Sequence, residues 1–224
     1  MADGHPSQRL STRNGTLTRA LGDDNPPRRA GADRGAGGRL ITCGNADHAP
    51  RRRFRHGMTP HLRPSVRAIV LDENDRILLC RFDFPHPVVP EQSKAVWAAP
   101  GGGVEPGEDR LTALRRELRE ETGLAIVAEP PHVWHQEVVA ADVAPGFDGV
   151  INDYFLVRTN HFQPRGELTD DQLAAENLAA FRWWQLSEIA AHRGPELFSP
   201  RDLTTPLTAL LTVGTPDQPV QLGL

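Results

Sequence analysis

Residues 102–124 read GGVEPGEDRLTALRRELREETGL, a glycine-rich turn followed by a helical pattern that carries most of the charge of the segment. Residues i, i+3 and i+4 of a helix share one face, so Glu117, Glu120 and Glu121 are expected to converge. Three leucines form a neighbouring stripe that is expected to face the core: Leu111, Leu114 and Leu118. The segment therefore predicts an amphipathic helix with a carboxylate cluster beside its buried face.

Three carboxylates this close repel one another, and the pattern predicts that the helical arginines, Arg115, Arg116 and Arg119, point away from them. A bound cation would remove the repulsion. Oxygen ligands favour hard ions, Mg²⁺ first, with Mn²⁺ as a substitute. The glycine-rich turn lets the backbone approach a phosphate or a metal, and a helix N-terminus favours anions. The pattern favours phosphate chemistry over a solvated, merely charged helix.

The same segment resembles the Nudix box of the Nudix hydrolase family, G-x5-E-x7-R-E-U-x-E-E-x-G-U, in which U is a bulky aliphatic residue. Every fixed position is matched, by Gly102, Glu108, Arg116, Glu117, Leu118, Glu120, Glu121, Gly123 and Leu124. The order of strands resembles the family domain over about residues 62–200. Motifs of the P-loop, the zinc helix HExxH and the nucleophile elbow GxSxG are absent from the sequence.

The resemblance implies an α/β/α sandwich around a mixed sheet and a Mg²⁺-dependent pyrophosphohydrolase acting on a nucleoside diphosphate linked to another moiety. It implies divalent-cation ligands at Glu117, Glu120 and Glu121, assisted by the backbone carbonyl of Gly101. Either Glu120 or Glu117 would also act as the base.

Three further residues are expected to complete this site. Glu108 and Arg116 would support the carboxylates by pairing, as the resemblance implies, although a simple helix ion pair is the alternative for Arg116. Gly102 belongs to the turn whose backbone would approach the ligand.

The chain divides by composition into two parts. Residues 1–57 contain eleven arginines, five aspartates and no lysine or glutamate, a net charge of +6, whereas residues 58–224 carry 14 basic and 24 acidic groups. The first part is rich in Gly, Pro and Arg and is predicted to be a disordered arm. Met58 suggests that translation of the natural protein starts there and that the arm is dispensable. As the resemblance implies, residues 58–224 are predicted to form the Nudix hydrolase domain with a C-terminal helix.

Secondary structure is predicted mainly from apolar patterns. Residues 65–81 indicate a β-hairpin, and further strands are predicted at 95–99, 124–129, 132–140, 149–159 and 180–186. Helices are predicted at 108–122, 186–192 and 202–213. Strands on both sides of a central helix favour a sandwich around a mixed sheet.

Several residues outside the box are candidates for the site. The candidates for an extra carboxylate are Glu137, Asp153, Glu167 and Glu176. Glu176 is favoured among them, with a plain surface role as the alternative. Phe82 and Phe84 share one face and could line a nucleobase pocket. His132 and His135 are three apart on a predicted strand and should point to opposite faces, which argues against a shared metal. Of the pair Trp183 and Trp184, one is expected in the core and the other partly covered.

Substrate and setting are the least determined properties. Nucleoside triphosphates, oxidised ones included, rank just above ADP-ribose and other nucleotide sugars as expected substrates. A non-hydrolytic nucleotide sensor is the alternative of another class.

No nucleic acid partner is expected, although the basic arm could hold a capped or triphosphorylated RNA end. No apolar run suggests a signal or a membrane span, so a cytoplasmic protein is expected. The oligomeric state stays open, a homodimer included.

Overall fold

The computed structural model of the chain describes residues 59–83, 93, 95–140, 144 and 146–223. The predicted arm, residues 1–57, lies outside the described residues. The strands are β1 (Leu62–Leu71), β2 (Ile77–Phe82), β3 (Val96–Ala98), β4 (His132–Val139), β5 (Gly149–Arg158), β6 (Leu178–Trp184), β7 (Leu197–Ser199) and β8 (Val220–Leu222). The helices are α1 (Arg110–Thr122), α2 (Asp170–Ala175), α3 (Leu186–Ala191) and α4 (Thr204–Thr212).

The strands form one mixed sheet in the order β7-β3-β2-β1-β5-β4-β8, and β6 pairs with β2. Three pairs are parallel, β1 with β5, β3 with β7 and β4 with β8. The predicted hairpin is confirmed, because β1 and β2 pair antiparallel with Leu71 opposite Ile77. Within the described ranges, no helix is long and apolar enough to cross a membrane.

Helices cover both faces of this sheet. Alternate residues of β1 point to opposite faces: Val66, Ala68 and Val70 belong to a core cluster with α1, whereas Ile69 and Leu71 join a second cluster with residues of α3 and α4. The predicted α/β/α sandwich is confirmed. The tryptophan pair also divides as predicted: Trp184 is buried in the second cluster, and Trp183 lies partly covered against the first.

The glycine-rich segment runs beside β1 and is held there by backbone hydrogen bonds. The N–H of Val66 donates to the carbonyl of Gly102 at 2.9 Å, and the N–H of Ala68 donates to the carbonyl of Pro100 at 2.9 Å. Gly101 has a φ of +128°, and a Cβ there would lie 2.3 Å from the carbonyl oxygen of Val66. Glycine is required at this position because the two backbones approach each other too closely for a side chain.

Both ends of α1 are capped by the residues that the sequence places there. The carboxylate of Asp109 accepts the N–H groups of Leu111 and Thr112 at 2.9 and 3.0 Å, an N-cap. Gly123 adopts the left-handed conformation and its N–H donates to the carbonyl of Arg119 at 3.1 Å, a C-cap. These caps define the helix that carries the glutamates.

The prediction of a strand at 124–129 was wrong. Leu124 and Ile126 lie against the α1-side core cluster from an irregular segment, and Val127 is 93% exposed. The segment packs on the helix instead of pairing in the sheet. The sequence also did not reveal α2, β7 and β8, because the two strands are three residues long and α2 has no buried residue to create an apolar period.

The burial of α1 predicts a large penalty for truncating its core face. Leu118 is fully buried in the α1-side cluster, so Leu118→Ala should lower the free energy of unfolding by about 2–5 kcal/mol. Val213→Ala is the control, since Val213 is 87% exposed and its loss should change stability by about 0.5 kcal/mol or less. Urea denaturation measures both. Equal effects of the two substitutions would contradict the packing of α1 on the sheet.

Candidate active site

Helix α1 brings the three predicted glutamates together at the glycine segment. Glu121 is almost fully buried. The side chains of Glu117 and Glu120 are 12% and 30% exposed, and both carboxylates contact the same nitrogen of Arg116. The convergence predicted from helical spacing is therefore present in the fold.

Arg116 lies among the glutamates, so the prediction that it points away from them was wrong. Its Nη1 donates to Glu117 Oε1 at 2.7 Å and to Glu120 Oε2 at 3.3 Å. Its Nε and Nη2 each donate to the Glu108 carboxylate at 3.0 Å, and Nη2 also donates to the Gly103 carbonyl at 3.0 Å. The long side chain reaches back toward the start of the helix, where Glu108 offers a bidentate partner.

These contacts keep the guanidinium charged and Glu108 ionised. Hydrogen bonding to Glu108 raises the pKa of Arg116, and the same bond lowers the pKa of the Glu108 carboxyl. The pairing of these two residues, which the resemblance implied, is thus present in the structure. Arg116 links the glycine segment, the turn before the helix and two of the three glutamates.

Glu121 is the most deeply buried carboxyl of the cluster. Its Oε2 accepts the N–H of Gly101 at 2.9 Å. Its pKa is raised to about 8, mainly by burial and also by the charges of Glu117 and Glu176. The positive charge of Arg67 and the Gly101 hydrogen bond oppose this rise. A second positive charge placed beside this carboxyl would favour its ionised form.

Burial also raises the pKa of Glu117, and its contacts with Arg116 work in the opposite direction. Gly102 lies directly against this carboxylate, because a Cβ on Gly102 would come within 2.5 Å of Glu117 Oε1. The predicted importance of a glycine here therefore has a steric reason: any side chain would displace the carboxylate.

The carbonyl of Gly101, a predicted metal ligand, already has one protein partner. Nη1 of Arg67 donates to it through a short hydrogen bond and also donates to the carbonyl of Ala99 at 3.3 Å. A carbonyl oxygen has two lone pairs, so one acceptor site of Gly101 is left for another ligand. Arg67 was not predicted as part of the site, since nothing in its local sequence distinguishes it from a strand residue.

The remaining predicted residues lie at the edges of this site. Glu176 is exposed at the end of α2, and its charge acts on Glu121, so the fold brings it toward the cluster. Phe82 ends β2 and is partly buried, whereas Phe84 lies outside the described residues. A cavity of about 190 Å³ lies beside Glu121, with Arg165 and Phe181 in its lining.

Residues 165–168, of which only Glu167 was a candidate from the sequence, hold the C-terminal turn of α1. The N–H groups of Arg165 and Leu168 donate to the carbonyls of Thr122 and Glu120 at 3.0 and 3.1 Å. These carbonyls have no partner within the helix itself. Gly166 allows the approach, because a Cβ there would lie 1.9 Å from the Glu120 carbonyl oxygen.

His132 and His135 point to the same face of the sheet, contrary to the prediction of opposite faces. The register of β4 shifts between His132 and Trp134, so His132 lies opposite Phe155 and His135 opposite Asp153. The extra residue of this β-bulge reverses the alternation. Both imidazoles reach one oxygen of Asp153, with His135 Nδ1 at 2.7 Å and His132 Nε2 at 3.1 Å.

The sequence model of the NUDIX domain family matches residues 61–203, and the chain belongs to this family. It is similar to the nucleoside triphosphatase NudI of Enterobacter sp. (strain 638), 37% identical over 90 residues, a match that covers 39% of this chain and 61% of that protein. It is also similar to an RNA pyrophosphohydrolase of Campylobacter jejuni subsp. doylei, 34% identical over 110 residues, which covers 44% and 64% of the two chains.

Among solved structures, a NUDIX hydrolase from Nitrosomonas europaea is 21% identical with a TM-score of 0.46, over 69% of this chain and 90% of that one. The chain spans about three fifths of the length of these two curated relatives.

The raised pKa of Glu121 predicts a pH-dependent stability in the absence of divalent cations. Between the ordinary glutamate pKa of 4.5 and about 8, the folded protein retains a proton that the unfolded chain has lost. The contribution of Glu121 to the free energy of unfolding is complete below that range and is lost as the pH rises through it, by at most about 1.4 kcal/mol per pH unit.

Urea denaturation in EDTA across this range tests the sign, and Glu121→Gln isolates the contribution because glutamine does not titrate. We expect stability to fall less steeply with pH in the variant than in the unchanged protein. Identical slopes would show that Glu121 is ionised in the folded state throughout.

Proposed function

We propose that this chain is a divalent-cation-dependent nucleotide pyrophosphohydrolase that cleaves a nucleoside triphosphate into a nucleoside monophosphate and pyrophosphate. The observation that carries the proposal is the convergence of Glu117, Glu120 and Glu121 beside the glycine segment, with Arg116 linking the first two. Membership of the NUDIX family supports the same reaction class.

The donor set fits a hard divalent cation. It consists of carboxylate oxygens, to which the carbonyl of Gly101 and the exposed Glu176 could add, and such ligands favour Mg²⁺, with Mn²⁺ as a substitute. Two of the carboxyls, Glu117 and Glu121, have pKa values raised by burial, so a cation would relieve an unfavourable environment. Mg²⁺ bound there would neutralise and align the diphosphate and lower the pKa of the attacking water.

Three side chains have the remaining roles in the proposed reaction. Glu120 is the most exposed of the three glutamates, and we assign it the removal of the proton from the attacking water, with Glu117 as the alternative base. Arg116 positions both carboxylates through its charged hydrogen bonds. Glu121 anchors the helix to the glycine segment through the N–H of Gly101.

The names of the relatives support the proposed substrate class. The chain is 37% identical over 90 residues to a protein named nucleoside triphosphatase, which favours free nucleoside triphosphates, oxidised ones included. A second candidate is the triphosphorylated 5′ end of RNA, because another relative is named RNA pyrophosphohydrolase. ADP-ribose and other nucleotide sugars rank next.

A substrate panel with Mg²⁺ tests the reaction and separates these classes. Phosphate release is measured after coupling to a pyrophosphatase and a phosphatase. The substrates are nucleoside triphosphates, triphosphorylated RNA and ADP-ribose. Glu120→Gln should reduce kcat about a hundredfold or more, as expected for loss of an acid–base group. Glu129→Gln is the matched control, since Glu129 is exposed and lies outside the cluster, and its activity should be unchanged.

If the unchanged protein and Glu129→Gln hydrolyse one substrate class and Glu120→Gln does not, both the reaction and the site are established. If none of the substrates is hydrolysed and calorimetry still detects nucleotide binding, the chain is a nucleotide sensor, and the proposed reaction is wrong. Equal activity of the two variants would leave the reaction but remove Glu120 from its role.

The positioning role of Arg116 is tested by Arg116→Lys. Lysine keeps the charge but cannot bind Glu108 bidentately while contacting the other glutamates, so kcat should fall about 10–100-fold, and the Mg²⁺ concentration for half-maximal rate should rise. Arg119→Lys is the control, because Arg119 pairs with Glu167 at the exposed end of the helix. An unchanged Mg²⁺ dependence in Arg116→Lys would show that Arg116 does not position the carboxylates.

A further inference from the structure

A second group of metal-ligating side chains lies across β4 and β5. His132, His135 and Asp153 each offer one ligand atom, and these atoms lie within 4.8 Å of one another. Asp153 is 1% exposed, while both histidine side chains are 25% exposed. A buried carboxylate is therefore reached from the solvent side by two imidazoles.

Arg110, the first residue of α1, connects this group to the helix. Its Nε forms an ion pair with Asp153 Oδ2 at 2.9 Å. Arg110 precedes Glu117 by seven residues, a rise of about 10 Å along the helix axis. The group shares no residue with the glutamate cluster.

The arrangement of the three donor atoms suits a small metal ion. His135 Nδ1 and His132 Nε2 lie 2.7 and 3.1 Å from Asp153 Oδ1. In a tetrahedral site with bonds of about 2.0–2.1 Å, ligand atoms are roughly 3.3 Å apart, so modest side-chain rotation would place an ion among them. The ion would replace the protons that now lie between the two imidazoles and Asp153. It would also replace the hydrogen bond between His132 Nε2 and the carbonyl of Trp134.

The surrounding groups orient these ligands in the manner common at metal centres. His135 Nε2, on the far side of its ring, lies 3.4 Å from Glu137 Oε1, and a carboxylate in this position fixes the orientation of a metal-binding imidazole. Arg110 occupies the other oxygen of Asp153, which leaves Oδ1 for the two histidines. His132 is stacked on Phe155, with ring centroids 4.9 Å apart.

We propose that His132, His135 and Asp153 bind a transition-metal ion, Zn²⁺ first, at a site separate from the glutamates of α1. Two nitrogens and one carboxylate oxygen are a ligand set of Zn²⁺ and related ions, whereas Mg²⁺ favours oxygen alone. Partial exposure of both histidines leaves the fourth coordination position to water or to a ligand. The two ligand sets would therefore select different metals.

The test is a titration of the metal-free, full-length protein with Zn²⁺ in excess Mg²⁺, monitored by calorimetry. A second titration uses Co²⁺ as a coloured substitute and is monitored by its d–d absorption. We expect one site whose affinity falls at least tenfold in His132→Gln and in His135→Gln. Glu137→Gln should weaken binding about 10–100-fold, because it removes only the orienting carboxylate.

His161→Gln and Glu120→Gln are the controls, and both should retain the site, because His161 lies elsewhere, near Asp72, and Glu120 belongs to α1. Thermal unfolding without metal checks that each variant is folded; if one histidine variant does not fold, the other carries the test. Undetectable Zn²⁺ binding in the unchanged protein would overturn the proposal and leave a hydrogen-bonded support for buried Asp153. Equal affinity in the controls and the histidine variants would also overturn it.

Discussion

The close contact between residues 101–103 and α1 is the constraint on which the geometry of the site depends. Gly101 donates its N–H to Glu121, and the carbonyl of Gly103 accepts from Arg116. The glycine between them leaves the space that the carboxylate of Glu117 occupies. Because the segment is itself bonded to β1, hydrogen bonds connect the helix, the segment and the sheet. Side chains at these positions would separate the layers that hold the carboxylates in place.

This contact places three carboxyl groups, with the negative charge of those that are ionised, where water is largely excluded. Arg116 compensates part of it, but burial still raises the pKa of Glu117 and of Glu121. Such an arrangement is costly for a protein without a bound cation, and functional sites are where local rules of stability are broken. Residues 165–168 contribute at the other end of α1 by pairing with its last carbonyls, so the helix that carries this charge is held at both ends.

The sheet adds a second environment of different chemistry. The glutamates of α1 offer oxygen, while β4 and β5 present two imidazoles and a buried carboxylate on the same face as α1. Arg110 connects the two, because it begins α1 and pairs with Asp153.

The sequence alone determined the features that depend on local spacing. Helix α1, its caps, the β1–β2 hairpin and the convergence of the glutamates all follow from periods and turn residues within short segments, and the motif implied the sandwich. Tertiary structure decided the direction of Arg116, the approach of Glu176 and the role of residues 165–168, because each depends on partners distant in sequence or on side-chain paths that periodicity does not specify. It also decided the common face of the two histidines, since one extra residue in a strand reverses every side chain beyond it.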